Sequence, residues 1–433
     1  KTVTIKVVKE YLSTATQIGA DINGELAGDN SGYSVSFNED ATIMAIGARL
    51  NDDNGSDSGH VRVYQYSSDT WTQLGADIDG ESASDKSGQS VSLSSDGKTV
   101  AIGASLKDGK VRIYNYNGTA WIQLGGDING ESQKDQFGSS VSLSSDGTVL
   151  AIGAWTNDGN VTDSGHIRIY NYNGTNWIQL GGDIDGEAAS DYSGNPVSLS
   201  SSGSTVAIGA YGNDGNGTDS GHVRIYNYKG STWTQLGEDI NGEAAGDQSG
   251  RSVSLSSDGT IVAIGAFLND GNGSSSGHVR IHKYKGNSWT QLGEDINGEA
   301  AGDFSGTSVS LSSDGSTLAI GANLSNGNDS GQVRVYNLVK LTNTIPTASD
   351  VSAATVKNTN ASIHLVASDL DFDSLTYSIV LEPTGGTATV SGDTVTYVPT
   401  TDFIGTDTFT FKANDGEVDS EIKTVTIKVV KEY

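Results

Sequence analysis

Gln73-Leu-Gly-Ala-Asp-Ile-Asp-Gly-Glu81 decides how this chain is read, because the phrase returns five more times. Copies begin at Gln17 (with Ile18 in place of leucine), Gln123, Gln179, Gln235 and Gln291, in steps of 56, 50, 56, 56 and 56 residues. Within each copy the same order follows: an acidic turn, SVSLSSDG, AIGA, SGHVRIYNY and W-x-QLG. Copy two is six residues short between Ala104 and Lys110, which places that loop at a surface. Each copy reads as four strands. Ser90–Leu93 alternates small polar with apolar residues, and Ser95-Asp96-Gly97 then turns the chain. Val100–Ala104 is small and apolar throughout, as in a strand packed on both faces. Val111–Tyr116 alternates again, Asn117-Gly118 suits a type I′ hairpin, and Trp121–Leu124 is the fourth strand. No segment carries a 3.6-residue apolar period, so the class is all-β. A four-stranded unit repeated at this period predicts a β-propeller.

Composition removes several function classes. The chain of 433 residues carries 25 Lys and Arg against 53 Asp and Glu, a formal net charge of −28. Such a field repels phosphate, which excludes nucleic acid as a partner. The longest apolar run, near Ile261–Leu268, is far short of the roughly 20 residues of a membrane span. With no cysteine, disulfides, thiolate metal sites and cysteine nucleophiles are ruled out. Serine is abundant but sits in turns and alternating strands, without a nucleophile elbow. No glycine-rich stretch has the strand–turn–helix setting of a nucleotide site.

The run SSDGxxxAIGA…SGHVRIY resembles the FG-GAP, integrin-α-like propeller repeats of large secreted bacterial proteins, over residues 12–340. Relatives that bind calcium there carry an Asp/Asn-rich loop before the strand equivalent to AIGA. This chain has only Ser-Ser-Asp-Gly at that place, so the resemblance does not bring that site with it. Integrins have seven blades and six are expected here. The Trp strand occurs at Trp71, Trp121, Trp177, Trp233 and Trp289, and copy six ends after Val333–Asn337 without one. Ala15–Gly19 matches its register, so an N-terminal strand is expected to complete the last blade and close the six-bladed ring.

After a linker at 341–346, residues 347–433 read as a second all-β domain with strands at Ile363–Val366, Leu375–Val380, Thr387–Val390, Thr394–Val398, Thr408–Lys412 and Thr424–Val430. ASDLDFDSLTYSI, TYVPTTDFIGTDTFTFKANDG and VTIKVV resemble the cadherin-like, Ig-like modules of bacterial adhesins, implying a β-sandwich. Lys1–Tyr11 is identical to Lys423–Tyr433. Residues 1–11 therefore read as the last strand of an upstream module of the same kind, in a giant polypeptide where propeller and module alternate. Strand donation between subunits is the alternative.

Calcium is the candidate cofactor. Asp369, Asp371 and Asp373 alternate along the chain and could gather the oxygens that calcium needs, and the resemblance to Ig-like modules that bind calcium near such a stretch and near an Asn-Asp-Gly turn adds Asp415. The alternative is a solvated acidic loop. Each propeller copy offers oxygens at positions 1, 3 and 5 of a Gly-containing turn: Asp21/Asn23/Glu25, Asp77/Asp79/Glu81, Asp183/Asp185/Glu187 and their relatives, each with a later Asp such as Asp29. These suit calcium too, or bridges to the arginine that recurs at Arg62, Arg112, Arg168, Arg224, Arg280 and Arg334. His60, His166, His222 and His278 share a position that is Lys110 in copy two and Gln332 in copy six, and read as inert strand-surface residues. The loop Asn213–Asp219 and its relatives at Asn51, Asn157 and Asn269 read as solvated hairpin tips. Trp155 stands where copies vary and is the better place for ligand contact.

Because almost every polar residue recurs in five or six copies, no unique catalytic constellation is expected. The reading is a non-enzymatic extracellular structural or adhesive unit at a bacterial surface, with a carbohydrate-binding or carbohydrate-active propeller as the alternative. Its partners would be neighbouring units of the same polypeptide, a homo-oligomer or filament bundle, and a surface protein or glycan.

Overall fold

The computed structural model describes residues 18–106, 109–132, 134–324, 331–338, 345–369, 375–416 and 418–431. Among these residues there is no helix. The chain divides into two compact units, Lys1–Leu338 and Val339–Tyr433.

The first unit repeats one antiparallel sheet. It opens with β1 (Ser31–Phe37), β2 (Ile43–Ala48), β3 (His60–Ser67) and β4 (Thr70–Gln73), paired in that order, and β5 (Ile78–Asp79) returns to pair with β3. The next four sheets copy this plan. The sixth, Ser305–Leu311, Thr317–Ala322 and Gln332–Asn337, has three strands among the described residues. The two-residue strand β5 is an addition to the expected four. Ile78 is the apolar residue between Asp77 and Asp79, and burying it helps to pin the phrase against β3.

Cores form between successive sheets. Ile43, Val61 and Val63 of the first pack with Val91, Leu93, Val100 and Ile102 of the second. The AIGA strand is buried along its length, as its composition predicts. Its glycine permits the close approach: a Cβ on Gly153 would lie 1.8 Å from the carbonyl oxygen of Gly194 in the next sheet. Serines of the SVS strands bond the sheets together. The hydroxyl oxygens of Ser36, Ser92 and Ser142 accept from the amides of Leu93, Leu143 and Leu199, at 2.9, 3.0 and 2.9 Å. Each fourth-strand tryptophan ties its sheet to the preceding phrase: Trp121, Trp177 and Trp233 Nε1 donate to the carbonyls of Leu74, Leu124 and Leu180 at 2.7, 2.8 and 2.7 Å.

At the start, Trp71 Nε1 donates to the carbonyl of Ile18 at 3.0 Å, so Ile18-Gly19 takes the part that Leu-Gly plays in later copies. Lys1–Gln17, including most of the expected closing strand, lies outside the described residues.

In the second unit a four-stranded sheet runs Val351–Val356, Lys423–Val430, Gly405–Asn414, Thr376–Leu381, its first pair parallel. A three-stranded sheet joins Ala361–His364, Thr394–Pro399 and Gly386–Ser391. A short pair, Thr347–Ser349 with Val366–Ser368, completes the unit. Val425, Ile427 and Val429 point into one core with Tyr397, Phe409 and Phe411, as their alternation predicts. The strands before residue 361 are the ones the sequence hid, because Thr347–Val356 is rich in Ala, Ser and Thr and has little apolar contrast.

Candidate functional site

The acidic phrases and the β3 strands meet at the junctions between copies. β5 lays Asp79 opposite His60 and Ile78 opposite Val61, so Asp77 reaches the ring of His60. His60 Nδ1 stands 3.8 Å from Glu25 Oε2, 3.8 Å from Asp53 Oδ2 and 4.0 Å from Asp77 Oδ2. His166, Asp183 and Asp185 form a related group, as do Glu187, His222 and Asp239, and Glu243, His278 and Asp295. These clusters could hold a metal ion.

The histidines are not on the surface. His60, His222 and His278 are each 1 % exposed, and no hydrogen-bond partner meets either ring nitrogen. Burial lowers the affinity of His166 and His278 for a proton and brings that of His222 down to about 4, with the neighbouring arginine adding to the effect, so these imidazoles are neutral at pH 7. Strand alternation alone cannot reveal this, because the side chains that surround His60, those of Glu25, Asp53 and Asp77, come from segments outside β3. The available signal was the pairing of histidine with arginine two residues on, beside a strand of aspartates.

The phrase splits its own oxygens. Asp77 faces His60, whereas Glu81 turns past Gly80 to Lys110 and Arg112 of the next sheet, at 2.8 and 3.6 Å. Likewise Glu187 meets Arg224 at 3.2 Å while Asp183 and Asp185 stay with His166. Glu25 lies 3.7 Å from Arg62, whose Nη2 donates to the carbonyl of Asn23 at 2.8 Å. The acid–arginine bridges are therefore present. The tightest is Arg168, which donates to both oxygens of Asp183 (3.0 and 2.8 Å) and to Glu131. Its hydrogen bond holds the Glu131 carboxyl below its usual range, and for Asp183 the upward push of burial is outweighed by the hydrogen bonds from Arg168 and Gln179 together with the guanidinium charge. Asp79 is shifted the other way, upward, by burial and then by the charge of Asp77.

The later aspartate of each copy is a structural cap. Asp29 accepts from the amide of Leu26 at 3.1 Å and from Asn51 Nδ2 at 3.2 Å, and Asp135 from Asn157 at 2.8 Å. Asn51, Asn157, Asn213 and Asn269 are buried, so the loops they begin are anchored at the base rather than solvated throughout. Drift among the exposed tips concealed this.

One face departs from repetition. Trp155 lies edge-on to Tyr192 with centroids 5.3 Å apart, and Tyr192 stacks on Tyr211 at 5.3 Å. Arg251 lies over both Tyr211 and Phe267, at 5.5 and 6.0 Å, and Phe267 meets Phe304 at 5.9 Å. The equivalent of Trp155 is Arg49 in copy one, Ser105 in copy two and Asn323 in copy six.

In the second unit Asp369 is buried, and Asp415 Oδ1 accepts from the amide of Val418 at 2.7 Å. Asp371 and Asp373 lie outside the described residues.

Comparison with known proteins agrees with these units. A model of the FG-GAP repeat matches residues 23–64, 129–170 and 241–281, and one of the bacterial Ig domain matches 343–428. The chain carries FG-GAP repeats followed by a bacterial Ig domain. No curated protein matches it. Among solved structures, a putative 6-phosphogluconolactonase from Bacteroides uniformis is 13% identical with a TM-score of 0.50, covering 71% of this chain and 80% of that one. A second, from Bacteroides fragilis, is 12% identical with a TM-score of 0.48, over 73% and 82%. At such identity the likeness is one of fold, and the FG-GAP unit is of the β-propeller kind. FG-GAP repeats together with a bacterial Ig domain suggest an extracellular or surface protein. No helix of the described residues is long and apolar enough to cross a membrane.

Proposed function

We propose that this chain is a non-enzymatic adhesive and structural unit of a bacterial surface protein. The observation that carries the reading is the recurrence of one polar constellation at successive junctions. Catalysis needs a singular arrangement, whereas these acids recur and bridge neighbouring sheets. The contact surface we favour is the aromatic face of Trp155, Tyr192, Tyr211 and Phe267 with Arg251, because it is the part that varies between copies. Aromatic rings beside a guanidinium suit a glycan, which also keeps the carbohydrate-binding reading in view. A polysaccharide panel tests both readings: binding without turnover, lost in Trp155→Ala, is expected, and turnover would overturn the non-enzymatic reading.

We further propose that the six sheets close into a ring. Val333 and Val335 of the last sheet are 69% and 47% exposed, whereas their equivalents Val111 and Ile113 are fully buried. On the first sheet Val35 and Phe37 are exposed, whereas Val91 and Leu93 are not. Two apolar faces of complementary origin, one at each end, favour closure. FG-GAP repeats commonly bind calcium. Here we place calcium in the Ig domain, at Asp369, Asp371, Asp373 and Asp415; an unfolding midpoint of that domain unchanged by chelator would refute this. The identity of residues 1–11 with the central strand Lys423–Val430 and its flank supports a tandem array, to be checked by the mass of the native polypeptide.

A further inference from the structure

We propose that three junctions of the propeller unit, centred on His60, His222 and His278, each bind a first-row divalent transition ion through one imidazole nitrogen and two or three carboxylates. The inference is independent of the adhesive reading and of calcium in the Ig domain. It begins with the buried rings. An imidazole that is 1 % exposed with both nitrogens unpartnered is costly, by about 1–3 kcal/mol for each unmet polar group. Each of these rings aims Nδ1 at carboxylate oxygens 3.7 to 4.0 Å away, too far for a hydrogen bond.

The outer oxygens are already held and the inner ones are left facing the ring. Gln73 donates to Asp77 Oδ1 at 2.5 Å, and Oδ2 faces His60. Gln235 and Gln291 do the same for Asp239 and Asp295, at 2.6 and 2.8 Å. Arg62 and Arg280 approach Oε1 of Glu25 and Glu243, while Oε2 faces His60 and His278. Ligands oriented by an outer ring of donors are the habit of metal sites. Zinc bonds of about 2.0–2.2 Å put tetrahedral ligands about 3.4 Å apart, so a closure of roughly half an ångström completes the shell.

Two further junctions show what such a cradle takes. In copy two the histidine is Lys110, whose ammonium lies 2.8 Å from Glu81 and 3.5 Å from Asp127. In copy three Arg168 swings onto Asp183 and Glu131. A protein cation fills those two, whereas Arg62, Arg224 and Arg280 keep to Oε1 of Glu25, Glu187 and Glu243. An imidazole nitrogen among carboxylates favours zinc, cobalt or manganese over calcium, which takes oxygen ligands.

The test uses the whole chain, stripped with chelator and titrated with Zn²⁺, and with Co²⁺ for its visible spectrum. The expected result is about three Zn²⁺ per chain, falling to about two in His222→Lys, which copies the arrangement at Lys110. Equimolar Ca²⁺ should not displace them. Should His222→Lys fail to fold, His222→Gln, the residue of copy six, is to lose one site in the same way. Absence of Zn²⁺ binding at micromolar concentration, an undiminished count in the folded variants, or displacement by equimolar Ca²⁺ overturns the proposal.

Discussion

Replacing Gly153 by alanine puts a methyl group 1.8 Å from the carbonyl oxygen of Gly194 and 2.8 Å from its carbon. Contact normally begins near 3.2 Å, so the two sheets would have to part by more than an ångström. Neither partner can yield by rotating a side chain, because both are backbone and both lie in paired structure: Gly153 faces Ser140 and Ile167 in its own sheet, and the Gly194 amide donates to the carbonyl of Gly209. Overpacking of this kind costs about 1–3 kcal/mol and occasionally more. Gly153 has no positive φ, so alanine also gains about 0.4–1 kcal/mol by restricting the unfolded chain. The net expectation is a loss of about 1–2 kcal/mol, or about 2–3 °C in the midpoint of a unit of this size. Gly182→Ala is the control, since nothing lies within 4 Å of its Cβ and its φ is ordinary. It should be neutral or slightly stabilising. Calorimetry and guanidinium titration of both variants measure the difference. A Gly153→Ala protein within about 0.5 kcal/mol of the parent would refute the claim that backbone-to-backbone contact sets the spacing of the sheets.

Trp177→Phe keeps a ring beside Tyr172 but leaves the Leu124 carbonyl without its donor, and should cost about 1–2 kcal/mol by denaturant titration. His282 is buried where other copies have tyrosine, and its affinity for a proton falls to about 4, by burial first and then by the Arg280 charge. The native state therefore resists a proton that the unfolded chain accepts near pH 6.5. Stability is intact above that pH and is lost as pH falls from 6.5 towards 4, by up to about 3 kcal/mol. His282→Tyr should reduce that acid sensitivity; unfolding midpoints at pH 7.5 and 5 that drop equally in both proteins would contradict this. In the Ig domain, buried Asp407 accepts from Tyr397 Oη and the Gly385 amide, each at 2.8 Å, and from the Thr384 amide at 3.1 Å. Asp407→Asn turns an amide donor towards donors, and should cost about 2–3 kcal/mol in that domain, read by its thermal midpoint.

Much of the architecture was legible in the one-dimensional pattern. A recurring phrase, period-2 alternation at SVSL and RIYNY, and Ser-Asp-Gly and Asn-Gly turns each dictate local geometry, so strands and repeat count follow from neighbours in sequence. The same holds for Val425, Ile427 and Val429, whose alternation foretold the buried face of the Ig domain. The junctions between copies were not legible in that way. His60 looks like a solvent-side residue of β3 until Glu25, Asp53 and Asp77 come together around its ring. Asp77 and Glu81 look like one ligand loop until the turn at Gly80 sends them to different sheets. Asn51 looks like a loop tip until Asp29, 22 residues away, accepts its amide. Periodicity reports which side of a strand a residue occupies. What covers that side depends on contacts between residues far apart in the chain, and only the tertiary structure decides those.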